Sequence, residues 1–208
     1  PLQENTEYSS YDRNGDILII IEKTTDKIIA TCRLITAQSS RKFYTSSEFK
    51  IDHFIQSDQL TKTELSRVCI HPLHRKGETL LTLWRAIYTY ITKYQSSYLF
   101  GMCSIPQRDL TKILSLILYI QQKKLEPKLI ERICPQRNYD CSEYLLTKLN
   151  HLSTSHESIK LPPLLQMYLK FGASVSSIPA KDSLFNCYDF FTILPTLSLN
   201  KHLSNKWL

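Results

Sequence analysis

Glu64-Leu65-Ser66-Arg67-Val68-Cys69-Ile70-His71-Pro72, then His74-Arg75-Lys76-Gly77-Glu78-Thr79, is the stretch on which the fold turns. The first run reads as a strand that Pro72 stops, since proline cannot donate to a sheet ladder. Beyond Gly77, Leu80, Leu81, Leu83, Trp84, Ile87, Tyr88 and Ile91 recur at spacings of three and four, so residues 77–94 are predicted to be an amphipathic helix. The order is strand, basic loop with one glycine, helix. Such a loop presents free N–H groups and the positive end of a helix dipole, which suits a phosphate.

Downstream, residues 98–105 form a further apolar run closed by Pro106, and a second helix is expected from Asp109 through Leu118. Upstream, residues 17–21 and 28–35 are two β-branched runs joined by the polar Thr25-Asp26, a hairpin signal. Both are apolar on each face, which predicts a sheet covered on both sides. Residues 39–62 read as an ordered loop with a short helix. Residues 122–160 read as a variable, partly helical insertion with a turn of helix near 144–149. Pro162-Pro163 opens a helix that Gly172 ends, as proline suits the first turn and glycine the C-terminal stop. Strands at 173–178 and 187–194 close the pattern. The order β-β-loop-β-α-β-α-insertion-α-β-β predicts one α/β domain over 1–208 with a mixed sheet.

With 208 residues, 42% of them hydrophobic and 22% charged, the chain has the composition of a globular domain. No apolar run is long enough to span a bilayer, and residues 1–11 do not resemble a secretory signal, so a cytoplasmic location is expected. The tail 197–208 mixes leucines, Trp207 and lysines, and either touches a membrane surface or packs as an ordinary terminus. The six cysteines form no C-x-x-C pair, and no metal site is expected. Cys32, Cys69 and Cys103 lie in strands and are expected to be buried thiols. A net charge of +7 and a pI of about 9.1 attract an acidic partner. The basic residues are dispersed and match no nucleic-acid-binding signature, so nucleic acid is not an expected partner.

The words 64–72, then Arg75, Leu83-Trp84-Arg85-Ala86-Ile87 and Tyr98-Leu99-Phe100-Gly101, resemble the ornithine-lipid N-acyltransferases. These form a GNAT branch similar to the acyl-homoserine lactone synthases. Further pieces of the resemblance are Ala30-Thr31-Cys32-Arg33-Leu34, residues 43–49, residues 161–165 and Asp189-Phe190-Phe191, in the same order over about residues 11 to 195. It implies a GNAT-type fold: a mixed, splayed central sheet flanked by helices. It implies transfer of a long-chain fatty acyl group to the amine of an amino acid such as ornithine. The co-substrate would be an acyl-phosphopantetheine thioester, with no bound cofactor. Two departures stand out: the N-terminal helix usual in GNAT folds is absent or very short, and the run Ser183-Leu184-Phe185-Asn186-Cys187 replaces a stretch where more small residues are expected. The donor loop, too, has one glycine where two small residues are usual.

Glu64 is the candidate base, because an amino acid arrives as an ammonium and must lose a proton; the alternative is a structural pair with Arg67. Residues 64 and 67 point to opposite faces of a regular strand and share a cleft only across a bulge. Arg67 would hold Glu64 or the substrate carboxylate. Arg33 is the second candidate for that carboxylate, since guanidinium forks match carboxylates. Phe49, Ser66 and Phe100 are further substrate-binding candidates, and Phe43, Tyr44, Phe49, Phe100, Met102 and Leu118 either line an acyl tunnel or pack as core. Backbone groups of Val68, Cys69 and Ile70 would pair with the pantetheine arm as an added strand does. Arg75, Lys76, Gly77, Glu78 and Thr79 would receive its phosphate. One glycine and a basic surface favour an acyl carrier protein over acyl-CoA as donor. Two other readings stay open: an acyl-homoserine lactone synthase, or a non-catalytic GNAT-like module that binds acyl carrier protein or contacts a membrane.

Overall fold

The computed structural model describes residues 9–37, 42–75, 77–123, 125, 130, 132–150 and 161–199. The strands are β1 (Asp16–Glu22), β2 (Lys27–Thr36), β3 (Lys62–Ile70), β4 (Tyr98–Pro106), β5 (Ser174–Val175), β6 (Ala180–Asp182) and β7 (Cys187–Pro195). The helices are α1 (Ser10–Arg13), α2 (Asp52–Gln56), α3 (Glu78–Lys93), α4 (Leu110–Gln122), α5 (Ser142–Asn150) and α6 (Pro163–Lys170), with a 3₁₀ turn at Tyr44–Ser47. One sheet has the order β1-β2-β3-β4-β7-β5, and β6 also pairs with β7. All pairs are antiparallel except β3–β4. This is the mixed α/β sheet that the alternating runs predict.

The splay lies between the two parallel strands. They pair only from Lys62↔Tyr98 to Leu65↔Gly101. Past that rung β3 stays on β2 as far as Ala30↔Ile70, and β4 stays on β7 as far as Pro106↔Cys187. Each strand keeps one neighbour and turns its other edge into a V-shaped gap. The expected bulge is present at the same place. The β2–β3 register shifts between Thr31 and Arg33, and Arg67 has φ 51°. A side chain in this left-handed region costs about 1 kcal/mol, a strain that tends to occur at functional sites.

The alternation of β4 separates two layers. Leu99, Cys103 and Ile105 face the helices, Leu99 with Leu83, Trp84, Ile87 and Ile91 of α3. Trp84 packs edge-on against Tyr168 and Phe171, with ring centroids 5.1 and 5.0 Å apart. Phe100 faces the other way, into an aromatic cluster with Phe43, Phe49, Phe54 and Phe191. Cover on both faces holds for the centre of the sheet but not for its edge. Ile17, Ile19 and Ile21 of β1 are about half exposed, because only Leu18 and Ile20 reach the α3 layer. A β-branched run thus marked an edge strand with one covered face.

Within the stretch read as an insertion, the described residues reach back to the sheet. Lys50 N donates to Cys134 O (2.9 Å), Gln136 N to Glu48 O (2.7 Å) and Lys181 N to Tyr139 O (2.8 Å). This strap therefore fixes the 48–50 backbone and β6, which both border the mouth of the V. Cys32 and Cys103 are buried, but Cys69 is exposed at the gap. The only helix described before β1 is the single turn α1. Leu199 is buried, and the rest of the tail lies outside the described residues. None of the described helices is long and apolar enough to cross a membrane.

Candidate functional site

A cleft of about 120 Å³ opens where β3 and β4 part. Leu65, Ser66 and Arg67 form one wall, Met102 and Ser104 the opposite one, Tyr44, Thr45 and Glu48 the floor, and the β6–β7 hairpin the far end. Ser66 and Arg67, two of the residues expected from the sequence, therefore meet here. Phe49 and Phe100 do not. Both are fully buried in the aromatic cluster, where Phe100 lies 5.2 Å from Phe43 and 5.3 Å from Phe54, edge to face in each case. Such packing is itself stabilising, and it places both rings in the core.

Glu64, the candidate base, lies beside the cleft and not in its lining. It is 0% exposed, and both its oxygens are occupied. Oε2 accepts from Tyr44 N at 2.9 Å, and Oε1 accepts from Thr45 N at 2.6 Å and Thr45 Oγ1 at 2.5 Å. Burial pushes its pKa upward, while the Thr45 and Tyr44 hydrogen bonds and the nearby Arg33 pull it down. A base needs an oxygen within reach of the substrate proton, and Glu64 does not line the cleft. It holds the 3₁₀ turn that carries Tyr44 and leads to Glu48. Its expected pairing with Arg67 gives way to these bonds; the Arg67 Nε lies 3.9 Å from Asp12 Oδ1.

Arg33 is fully buried rather than at the surface. Its Nε donates to Ser66 Oγ (3.0 Å) and its Nη1 to Asp12 Oδ1 (2.7 Å), while its Nη2 has no partner. The guanidinium lies 5.6 and 5.4 Å from the ring centroids of Tyr11 and Tyr44. Burial would raise the pKa of Asp12, but the Ser9 hydrogen bonds and the Arg33 charge bring it down to about 2.

The residues that sequence reasoning missed are acidic. Glu48, Asp182 and Asp189 come from the floor, β6 and β7, and all line the cleft. Ser104 Oγ donates to Asp189 Oδ1, and Cys187 Sγ to Asp189 Oδ2 at 3.3 Å. Burial and then the neighbouring Asp189 charge raise the Glu48 pKa, and burial raises that of Asp189. A charge in the otherwise apolar run 187–194 was the available signal for Asp189.

These raised values fix the sign of a pH effect. A carboxyl whose folded pKa exceeds its unfolded value contributes stability that is complete below the unfolded value and is lost as pH rises through the folded one. Thermal stability should therefore fall as pH rises from about 5 towards 8. Melting curves across that range, run on the wild type and on Glu48→Gln, should show a smaller fall in the variant; an equal fall would remove Glu48 from this role.

At the donor end, the outer edge of residues 68–70 faces the gap. Arg75 is exposed and its Nε donates to Ile70 O (3.0 Å). Gly77 starts α3 with φ 67° and is followed by the exposed Glu78 and the half-buried Thr79. Lys76 lies outside the described residues.

Residues 2–85 match the acetyltransferase (GNAT) domain family. Over 207 residues the chain is 25% identical to an L-ornithine N(alpha)-acyltransferase of Agrobacterium fabrum, covering 95% of this chain and 70% of that protein. It is likewise 25% identical to an L-ornithine N(alpha)-acyltransferase of Rhodobacter capsulatus, covering 96% of this chain and 78% of that protein. Among solved structures, a CoA-dependent acyl-homoserine lactone synthase with SAM and isopentyl-CoA aligns with a TM-score of 0.46 and 12% identity, over 96% of this chain and 68% of that one.

Proposed function

We propose that this chain, a GNAT-type acyltransferase by its domain and its relatives, moves a long-chain fatty acyl group from a phosphopantetheine thioester to the α-amine of a cationic amino acid such as ornithine. The observation that carries this reading is the juxtaposition of the open β3–β4 gap with a cleft holding Arg67 at one wall and three carboxyls at its floor and far end.

The pantetheine arm would lie along the free edge of residues 68–70, making the strand-like hydrogen bonds that β4 gives up there. Its phosphate would meet Arg75, Lys76 and the first N–H groups of α3, residues 77–79. With Gly77 as the loop's one glycine, a single phosphate suits the site better than a pyrophosphate, which favours acyl carrier protein as donor. The acceptor's carboxylate would be held by Arg67, which lines the cleft, with the buried Arg33 guanidinium behind it fixing Ser66 and adding its positive charge.

The amine nitrogen attacks the thioester carbonyl carbon. A C–N bond forms, the C–S bond breaks, and the thiolate leaves and takes a proton from water. No buried base is required for the first deprotonation. The α-amine of a free amino acid is neutral in only a small fraction of molecules at pH 7; that fraction reacts, and its proton passes to water. On this reading Glu64 is a positioning residue.

The test is to incubate the protein with palmitoyl-loaded acyl carrier protein or palmitoyl-CoA and a mixture of amino acids including ornithine, then to search for N-acyl products by mass spectrometry. An N-acyl amino acid formed faster from the carrier is the expected result. Equal rates with palmitoyl-CoA would overturn the choice of donor. Tight binding of the loaded carrier with no product from any amine would favour the non-catalytic reading.

A further inference from the structure

Glu48, Asp182 and Asp189 form a corner of the cleft that the transfer chemistry does not use. All three are buried, at 2, 5 and 3% exposure. Asp182 Oδ1 accepts from Leu184 N (2.7 Å) and Phe185 N (3.0 Å), which ties the hairpin turn over the corner. Asp189 is anchored by Ser104 and Cys187, as described. Glu48 is different: the residue lines the cleft, and its buried Oε2 has no hydrogen-bond partner. Among the described residues no lysine or arginine pairs with any of the three. With no counter-ion among the described residues, these carboxyls stay protonated or take something cationic into the space, since buried unpaired charge is costly.

We propose that this corner seats a second, non-reacting ammonium on the acceptor, so that the protein selects diamino acids over neutral amino acids of the same length. The inference rests on the reading of the chain as an amino-acid N-acyltransferase and assigns the residues that set its specificity. An ammonium offers three N–H donors and no acceptor, which complements a corner made of carboxyl oxygens. A bare metal ion fits less well. The candidate ligand atoms of Asp182, Cys187 and Asp189 do lie within 4.8 Å of one another. Burial raises the Cys187 thiol, however, and its hydrogen is already given to Asp189. The geometry also orders the acceptor. Arg67 at the β3 wall takes the carboxylate, the α-amine faces the gap between the strands, and the side chain runs down to Glu48.

The test compares L-ornithine with L-norvaline, which has the same carbon chain and no terminal amine, in the wild type and in Glu48→Gln and Asp182→Asn. Both substitutions are close in shape, and the asparagine keeps the oxygen that caps residues 184 and 185. Wild type should prefer ornithine by about 100-fold or more in kcat/KM, because a polar pocket rejects an analogue that leaves it unpaired. Each variant should lower kcat/KM for ornithine by about 10- to 100-fold and leave norvaline within about twofold. Norvaline turnover serves as the control for folding. Equal losses on both substrates, or no preference in the wild type, would overturn the assignment. Titration calorimetry with ornithine separates the two levels. Ornithine binding that Glu48→Gln abolishes, with no turnover of any amine, would keep the corner and sink the acyltransfer reading; N-acylation without discrimination would do the reverse.

Discussion

Gly101→Ala is expected to destabilise the protein by about 3 kcal/mol, at the upper end of the usual cost of forcing extra volume into a packed interior. A Cβ built on Gly101 would sit 2.2 Å from the carbonyl oxygen of Leu65. That oxygen belongs to the facing strand, at the last rung before β3 and β4 part. Neither partner can move aside, because Leu65 is held by Leu34 on β2 and Gly101 by Thr192 on β7. The strands must separate one rung early, which shifts Leu65 and Met102, both walls of the cleft. A fall in melting temperature of about 6–12 °C follows for a domain of this size, together with loss of acyl transfer in whatever stays folded. Gly77→Ala is the control. Its φ of 67° disfavours a side chain, but nothing lies within 4 Å of the new Cβ, so the cost should stay near about 1 kcal/mol. Differential scanning calorimetry of both variants decides the matter: similar shifts would mean that the Leu65 contact is not what requires glycine at 101.

The same rung shows what the sequence could convey. The runs at 64–72 and 98–105 announced two strands, and the helix between them required a parallel crossover, since neighbouring parallel strands need a long connection. A bulge was inferable because Glu64 and Arg67 could not otherwise share a face. What could not be read was which face each would then choose. The left-handed Arg67 turns its own side chain towards the cleft and Asp12, while Glu64 stays on the aromatic side, under the 3₁₀ turn. Aromatic residues carried no signal for tunnel against core; Phe49 and Phe100 are paired with rings from three other segments, information that no local window contains. The acidic corner is harder still. Glu48, Asp182 and Asp189 belong to a turn, a three-residue strand that the sequence reading did not assign, and the last long strand. Only closure of β6 and β7 over the floor brings them together.

Glu64→Ala should show which of the two roles that residue plays, and the expected outcome is structural. Removing the carboxylate leaves Thr45 N, Thr45 Oγ1 and Tyr44 N without the acceptor that Glu64 provides, two of these donors being fully buried. Each such loss costs about 1–3 kcal/mol, so a total near 3–5 kcal/mol and a melting temperature lower by about 10 °C are expected. A base would behave otherwise: the protein would melt normally, kcat would fall by about 100- to 10,000-fold, and the rising limb of the pH–rate profile would disappear. Glu64→Gln sharpens the contrast. The amide keeps one acceptor oxygen but turns N–H groups towards a backbone N–H, so it should recover only part of the stability. Assayed well below its melting temperature, the folded fraction should keep the wild-type pH profile if, as proposed, the amine loses its proton to water and not to residue 64. A variant that melts like the wild type yet has lost its turnover would return Glu64 to the chemistry and require the 3₁₀ turn to open during the reaction.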